Sequence, residues 1–232
     1  MACSPSAKKP IELEAIHLKY AKGFSILKGD GFHEIHVNQP WTGAESSFRY
    51  LILADSSLST KDGYDAIVLP HPKRVVLTST THIPHLDLLE ATDLLVGFPD
   101  TDLISSPLMR DRIDKGGVKD LGSGPSANPE LTLDISPDLM IISTLGDDLK
   151  YLELLKSAGI PALINGEYVE QHPLGRAEWI KFTGLLLGKY EEAVMVFDQI
   201  EKDYLAAVSI GKSINLADRP SIISGVMYQD IW

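Results

Sequence analysis

The chain has 232 residues, 44% of them hydrophobic and 23% charged, and its 21 Lys and Arg against 32 Asp and Glu leave a net charge of −11. That composition excludes wholesale disorder, and the acidic balance excludes the basic stripe with which nucleic-acid binders neutralise phosphates. The single cysteine, Cys3, excludes a disulfide framework and a thiolate zinc site, and no apolar run approaches the roughly 20 residues of a membrane-spanning helix.

Residues 1–10 read as a tether, because Cys3 is followed by small, turn-forming and Lys-rich residues. Cys3 stands where a mature bacterial lipoprotein begins, with the lipid on its thiol; an incidental N-terminal cysteine is the competing reading. Alternating apolar and polar residues over 15–20 and 33–37 predict half-buried strands, with a turn at Lys28-Gly29-Asp30-Gly31 and a further strand over 49–54. The segment 11–72 is therefore expected to be a β-rich preface.

After Pro70-His71-Pro72 the rhythm changes. Apolar strands are predicted over 74–79, 94–98, 118–121, 139–143 and 162–164, and helices over 83–90 and 147–158. Two further helices open at Ser106-Pro107 and at Asn128-Pro129-Glu130, where a capping side chain is followed by proline in the first turn. Strands alternating with helices predict an α/β lobe over 73–176, a parallel sheet flanked by helices, with right-handed crossovers. In such sheets ligands sit outside the carboxyl ends of the strands. That points to the loops at 79–82, 99–100, 122–126, 144–147 and 165–168. Residues 177–212 are expected to form a long connecting helix with Ala193, Val194, Phe197, Ile200 and Tyr204 on one face and a kink or break at Gly188. A last strand is predicted within 219–232.

The order of these parts resembles the helical-backbone solute-binding proteins of ABC importers for iron–siderophore, haem and vitamin B12. The resemblance rests on 74–98, on Asn128-Pro129-Glu130 with Ser136-Pro137-Asp138-Leu139, on Leu155 to Gly159-Ile160-Pro161, and on the helical stretch from Leu174-Gly175-Arg176-Ala177-Glu178-Trp179. It covers roughly 74–232, with 11–72 similar to a β preface of some lipoprotein members. It implies two lobes joined by a rigid helix, with ligand between them, and 219–232 would then be the first strand of a missing second lobe, making the chain a truncated form. It also implies an extracytoplasmic, lipid-anchored receptor, held to the membrane through Cys3, that hands a metal chelate to a membrane permease without catalysis, cofactor or nucleic acid.

From the resemblance, the loop Thr80-Thr81-His82 lines the cleft, although capping by either threonine and a surface His82 would explain the same residues. Asp100, Thr144, Asp147 and Glu167 fall in the other strand-end loops. Tyr168, Tyr228 and Trp232 are aromatic residues able to pack on a bulky flat ligand, or simply core or rim packing. Arg176 offers charge-assisted hydrogen bonds to an anionic chelate, or a salt bridge to Glu178. Glu130 would pair with a permease arginine, or merely complement the helix dipole. A zinc or manganese receptor using His82 and His85, three apart on one helical face, is the alternative function, but no third ligand is identifiable and no protein-held metal is expected. A nitrogenase-like enzyme or cluster scaffold lobe is a further alternative by fold analogy, and it lacks the cysteines. Gly122-Ser123-Gly124 fails as a nucleotide loop because Ala127 replaces the third glycine, and no nucleophile elbow is present.

Overall fold

A computed structural model describes residues 13–55, 63–123, 127–146 and 149–222. Two five-stranded sheets organise them. In the first, β1 (Glu14–Ile16), β2 (Phe24–Gly29), β3 (Phe32–Val37) and β4 (Phe48–Leu53) run antiparallel in sequence order, and β5 (Ala66–Val68) adds parallel to β4. The β2–β3 hairpin turns through Asp30 and Gly31, where Gly31 takes a φ of 76° that a side chain disfavours.

The second sheet is wholly parallel. It contains β6 (Val75–Leu77), β7 (Leu95–Phe98), β8 (Lys119–Asp120), β9 (Leu139–Ile142) and β10 (Ala162–Ile164), in the spatial order β10-β9-β6-β7-β8. Helices α1 (Ile83–Leu88), α2 (Pro107–Asp114), α3 (Pro129–Ile135) and α4 (Leu149–Ser157) alternate with these strands, and α5 (Pro173–Glu178), α6 (Ile180–Leu187) and α7 (Tyr190–Ser213) follow. Strand alternation sorts the side chains into two cores. Val75, Leu77, Leu139, Ile141 and Leu163 join α1, α6 and the inner face of the first sheet, whereas Val76, Met140 and Ile142 pack with Tyr151 and Leu155 of α4 and, at the edge, Leu131 and Ile135 of α3. The expected α/β lobe, a parallel sheet flanked by helices, is therefore present.

The predicted caps form. Ser106 Oγ accepts from Met109 N at 3.3 Å, and Asn128 Oδ1 accepts from Leu131 N at 3.1 Å. Asn128→Ala should cost about 1 kcal/mol of stability, read as a lower urea midpoint at unchanged slope. An unchanged midpoint would show that the cap contributes nothing.

Three differences from the expectations have physical reasons. The strand predicted over 15–20 stops at Ile16 because the amides that would extend it are taken elsewhere. Glu178 Oε1 accepts from Lys19 N (2.9 Å), and Glu178 Oε2 accepts from Tyr20 N (2.7 Å) and Ala21 N (2.9 Å). Glu170 Oε1 accepts from Lys22 N and Gly23 N, both at 2.8 Å, and from the Trp179 indole at 3.1 Å. Two carboxylates thus staple the β1–β2 connection to α5 and its approach. Secondly, the helical stretch is divided not only by the break expected at Gly188 but also at Trp179, between α5 and α6. Gly188, at a φ of 72°, ends α6, and α7 runs 24 residues to Ser213. Thirdly, β5 went unmarked, since a three-residue strand carries little periodicity, and the helical stretch marked from Leu174 begins as a separate six-residue helix, α5. The strand expected within 219–232, the tether at 1–10, and Ser126, Asp147, Tyr228, Trp232 and Cys3 lie wholly or largely outside the described residues.

Candidate functional site

The spatial order of the second sheet, read from β8, is third, second, first, fourth and fifth in sequence. The order reverses between β6 and β9, the position at whose carboxyl edge sheets of this topology bind ligands. Thr78 Oγ1 accepts from Ser143 N at 2.9 Å and ties the two loops at their roots. Beyond β6, Ser79 caps a single 3-10 turn, Thr80–His82, accepting from Thr81 N at 3.3 Å.

A carboxylate from the far loop clamps that turn. Glu167, after β10, accepts from the Thr81 hydroxyl at 2.6 Å through Oε1 and lies 3.3 Å from His82 Nε2 through Oε2. Its own amide donates to Asn165 Oδ1 at 3.0 Å, which fixes the loop. Burial pushes the Glu167 pKa up, but the bonds to His82 and Thr81 and the attraction of the His82 and His85 rings outweigh it, and the result lies below the usual carboxylate value. His85 is pushed down to about 3, first by burial and then by the neighbouring His82, so its ring stays neutral near pH 7; its Nδ1 lies 2.8 Å from Thr183 Oγ1.

The sequence-derived candidates divide accordingly. Thr80 and Thr81 are exposed on the loop after β6, with Ser79 partly buried beside them. His82, expected to line the cleft or, in the alternative, to lie on the surface, does neither. It is 1% exposed, because the turn points its ring inward to Glu167. Glu167 and Thr144 are also buried, behind the rim. Thr144 Oγ1 accepts from Gly146 N, and its carbonyl accepts from the Tyr168 hydroxyl, both at 3.0 Å. Arg176 does not bridge to Glu178. Its Nε donates to Glu170 O at 2.9 Å and its Nη2 to Tyr168 O at 3.1 Å, which laces the β10–α5 connection. Asp100 follows β7 in a left-handed conformation with its N–H on Gly122 O at 2.9 Å, so it sits over the neighbouring strand. Glu130 is exposed in the first turn of α3.

Other residues shape the edge without a sequence signal. Asp120 accepts from Thr101 N and Oγ1, both at 3.0 Å, and from Gly122 N at 2.7 Å, and these bonds, the Thr101 amide first, hold its pKa low. Gly146 and Gly166 are glycines because the β3–β4 loop lies on them. A Cβ at Gly146 would meet the Trp41 ring at 2.8 Å, and one at Gly166 would meet Gln39 O at 2.5 Å. Leu145, beside them, is 75% exposed.

The carboxylate, not the imidazole, takes the Thr81 hydroxyl. The rings of His82 and His85 lie 6.4 Å apart and are buried, and among the described residues no group of three His, Cys, Asp or Glu is placed to hold a metal.

No family model matches the chain. An uncharacterized lipoprotein of Methanocaldococcus jannaschii is 24% identical over 217 residues, covering 84% of this chain and 52% of the relative. A second uncharacterized lipoprotein of that organism is 24% identical over 190 residues, covering 78% and 47%. The chain thus spans about half the length of these curated relatives. Among solved structures, a possible iron-binding, periplasmic solute-binding protein of Staphylococcus epidermidis superposes with a TM-score of 0.52 at 17% identity, covering 62% of this chain and 54% of that one. The siderophore-binding protein BauB, bound to two acinetobactin molecules and ferric iron, superposes at 0.50 with 22% identity over 64% and 50%. The fold is that of an α/β lobe of a periplasmic solute-binding protein, and the sequence relatives are lipoproteins.

Proposed function

We propose that this chain belongs to the extracytoplasmic solute-binding component of an ABC importer, which captures an iron chelate, siderophore or haem, or a cobalamin, and delivers it to a membrane permease without turning it over. The observation that carries the reading is the reversal of strand order between β6 and β9 in a fold shared with periplasmic binding proteins. Among the described residues the carboxyl edge there carries hydroxyl and aromatic side chains, several of them locked by internal hydrogen bonds. That is a rigid receiving wall, as a binding lobe requires. In this reading 73–176 forms that wall, α7 stiffens the link to an opposing lobe, and closure is limited in amplitude. Thr80, Thr81 and Tyr168 face the ligand, together with Asp147, Tyr228 and Trp232, while His82, Glu167, Thr144 and Arg176 hold the loops behind them. Asp100 flanks that edge. Glu130 is the permease-docking carboxylate, and Cys3 carries the lipid that keeps 1–10 at the membrane.

The test is a titration of the chain, and of the longest natural product of its gene, followed by tryptophan emission. The ligands are ferric siderophores, haemin, cobalamin, zinc and manganese, with iron-free siderophores as the quenching control. Saturable binding of one chelate by the longest product, with no chemical change in the recovered ligand, is expected. Saturable binding of free zinc or manganese alone would overturn the chelate class. Failure of every ligand on folded protein would overturn the receptor reading.

A further inference from the structure

The first sheet reaches the carboxyl edge of the second. The β3–β4 loop lays Trp41 on Gly146 in the loop after β9 and its Gln39–Pro40 backbone on Gly166 in the loop after β10, and neither glycine leaves room for a side chain. Those loops form the ligand-facing edge of the second sheet in a fold of this topology. Trp41 is only partly buried, and its indole N–H donates to no group among the described residues. Its position is fixed from behind. The Phe48 ring lies 6.0 Å away, tilted, and Phe48 in turn stacks on Tyr50 at 6.2 Å. The Tyr50 hydroxyl accepts from Ile164 N of β10 at 3.0 Å, so a short aromatic ladder joins Trp41 to the last strand of the other sheet. Beside it stand exposed Leu145 and the half-buried ring of Tyr168.

From this placement we propose that Trp41 is a ligand-contact residue supplied by the first sheet. Its ring takes a flat aromatic part of the ligand, and its free N–H donates to an oxygen acceptor on that part's edge. The inference rests on the receptor reading above and narrows it to ligands with an aromatic, oxygen-edged face, whether a catecholate-type chelate or a porphyrin carboxylate. A partly exposed aromatic ring held rigidly, with one unspent donor, binds such a face without ordering cost. It also gives the first sheet a role in recognition as well as in packing.

The experiment uses the longest natural product of the gene with two probes, haemin and the iron(III) complex of 2,3-dihydroxybenzoate. Binding is measured for wild type, W41F and W41A, and oxidation of Trp41 by N-bromosuccinimide is followed by peptide mass spectrometry with and without probe. One probe should bind saturably and protect Trp41 from oxidation in the wild type. W41A should weaken that probe about tenfold, with W41F intermediate because it keeps a ring and loses the donor. The protection measurement needs no variant, so a W41A chain that folds poorly leaves the inference falsifiable. Saturable binding with Trp41 unprotected, and with unchanged affinity in W41F, would overturn the inference and leave the receptor reading standing. No saturable binding of either probe, while another chelate of the wider panel binds, would overturn the aromatic assignment alone. No binding of any chelate would overturn both.

Discussion

Glu178→Ala is expected to lower stability by about 3–5 kcal/mol, a large part of the ~5–15 kcal/mol that holds a typical domain together. Glu178 is 0% exposed, yet it carries the Lys181 ammonium at 2.7 Å and the three backbone amides of Lys19, Tyr20 and Ala21. Removing the carboxylate leaves a buried cation and three donors without an acceptor. The lost contacts cost less than the desolvation of the groups left behind. A lowered denaturant midpoint checks this, and E178A unfolding at the wild-type midpoint would contradict it. Replacing both partners, Glu178→Gln with Lys181→Met, should recover part of the loss.

The same carboxylate sets an acid limit. Burial pushes the Glu178 pKa up, but the Lys181 bond and the amides of Ala21, Lys19 and Tyr20 overcome it, and the folded value lies below the ordinary 4.5. The unfolded chain binds the proton more readily, so the stabilisation is complete above the ordinary value and is lost as pH falls through the folded one. Stability of the wild type should therefore fall more steeply with acid than that of E178Q. Parallel curves would assign acid loss to other groups.

Gly166→Ala should be the next most damaging change, of order 1–3 kcal/mol or more. The added Cβ would lie 2.5 Å from Gln39 O and 3.0 Å from Pro40 O, backbone atoms that cannot rotate away. Either the β3–β4 loop lifts or β10 shifts. A lifted loop takes Trp41 off Gly146, which predicts a red-shifted tryptophan emission along with the lower melting midpoint. A variant with wild-type emission and midpoint would show that the loop contact is slack.

Much of the fold was legible because local chemistry carried it. The cap-and-proline pairs Ser106-Pro107 and Asn128-Pro129 started helices where predicted, Gly188 stopped one, and the apolar runs of β6, β7, β9 and β10 could only be buried strands. The strand-end loops were legible too, and with them the exposure of Thr80 and Thr81 on the loop after β6. His82 was expected to line the cleft, or else to lie on the surface, because nothing in a Thr-Thr-His turn says which way the ring points; Glu167, 85 residues away, draws it inward. Trp41 gave no signal, since its partner Gly146 lies more than a hundred residues on.

The amino-acid order alone therefore settled the class of fold, the sequence of its elements and the edge on which to look, because periodicity, caps and turns act over a few residues. Only the tertiary structure decided that the β1–β2 connection hangs on Glu170 and Glu178, that Glu167 locks the turn after β6, and that the first sheet lends a tryptophan to the second. Each of these is a bond between distant segments, formed where a buried carboxylate needs donors or a glycine leaves space, and no local pattern encodes which distant residue answers.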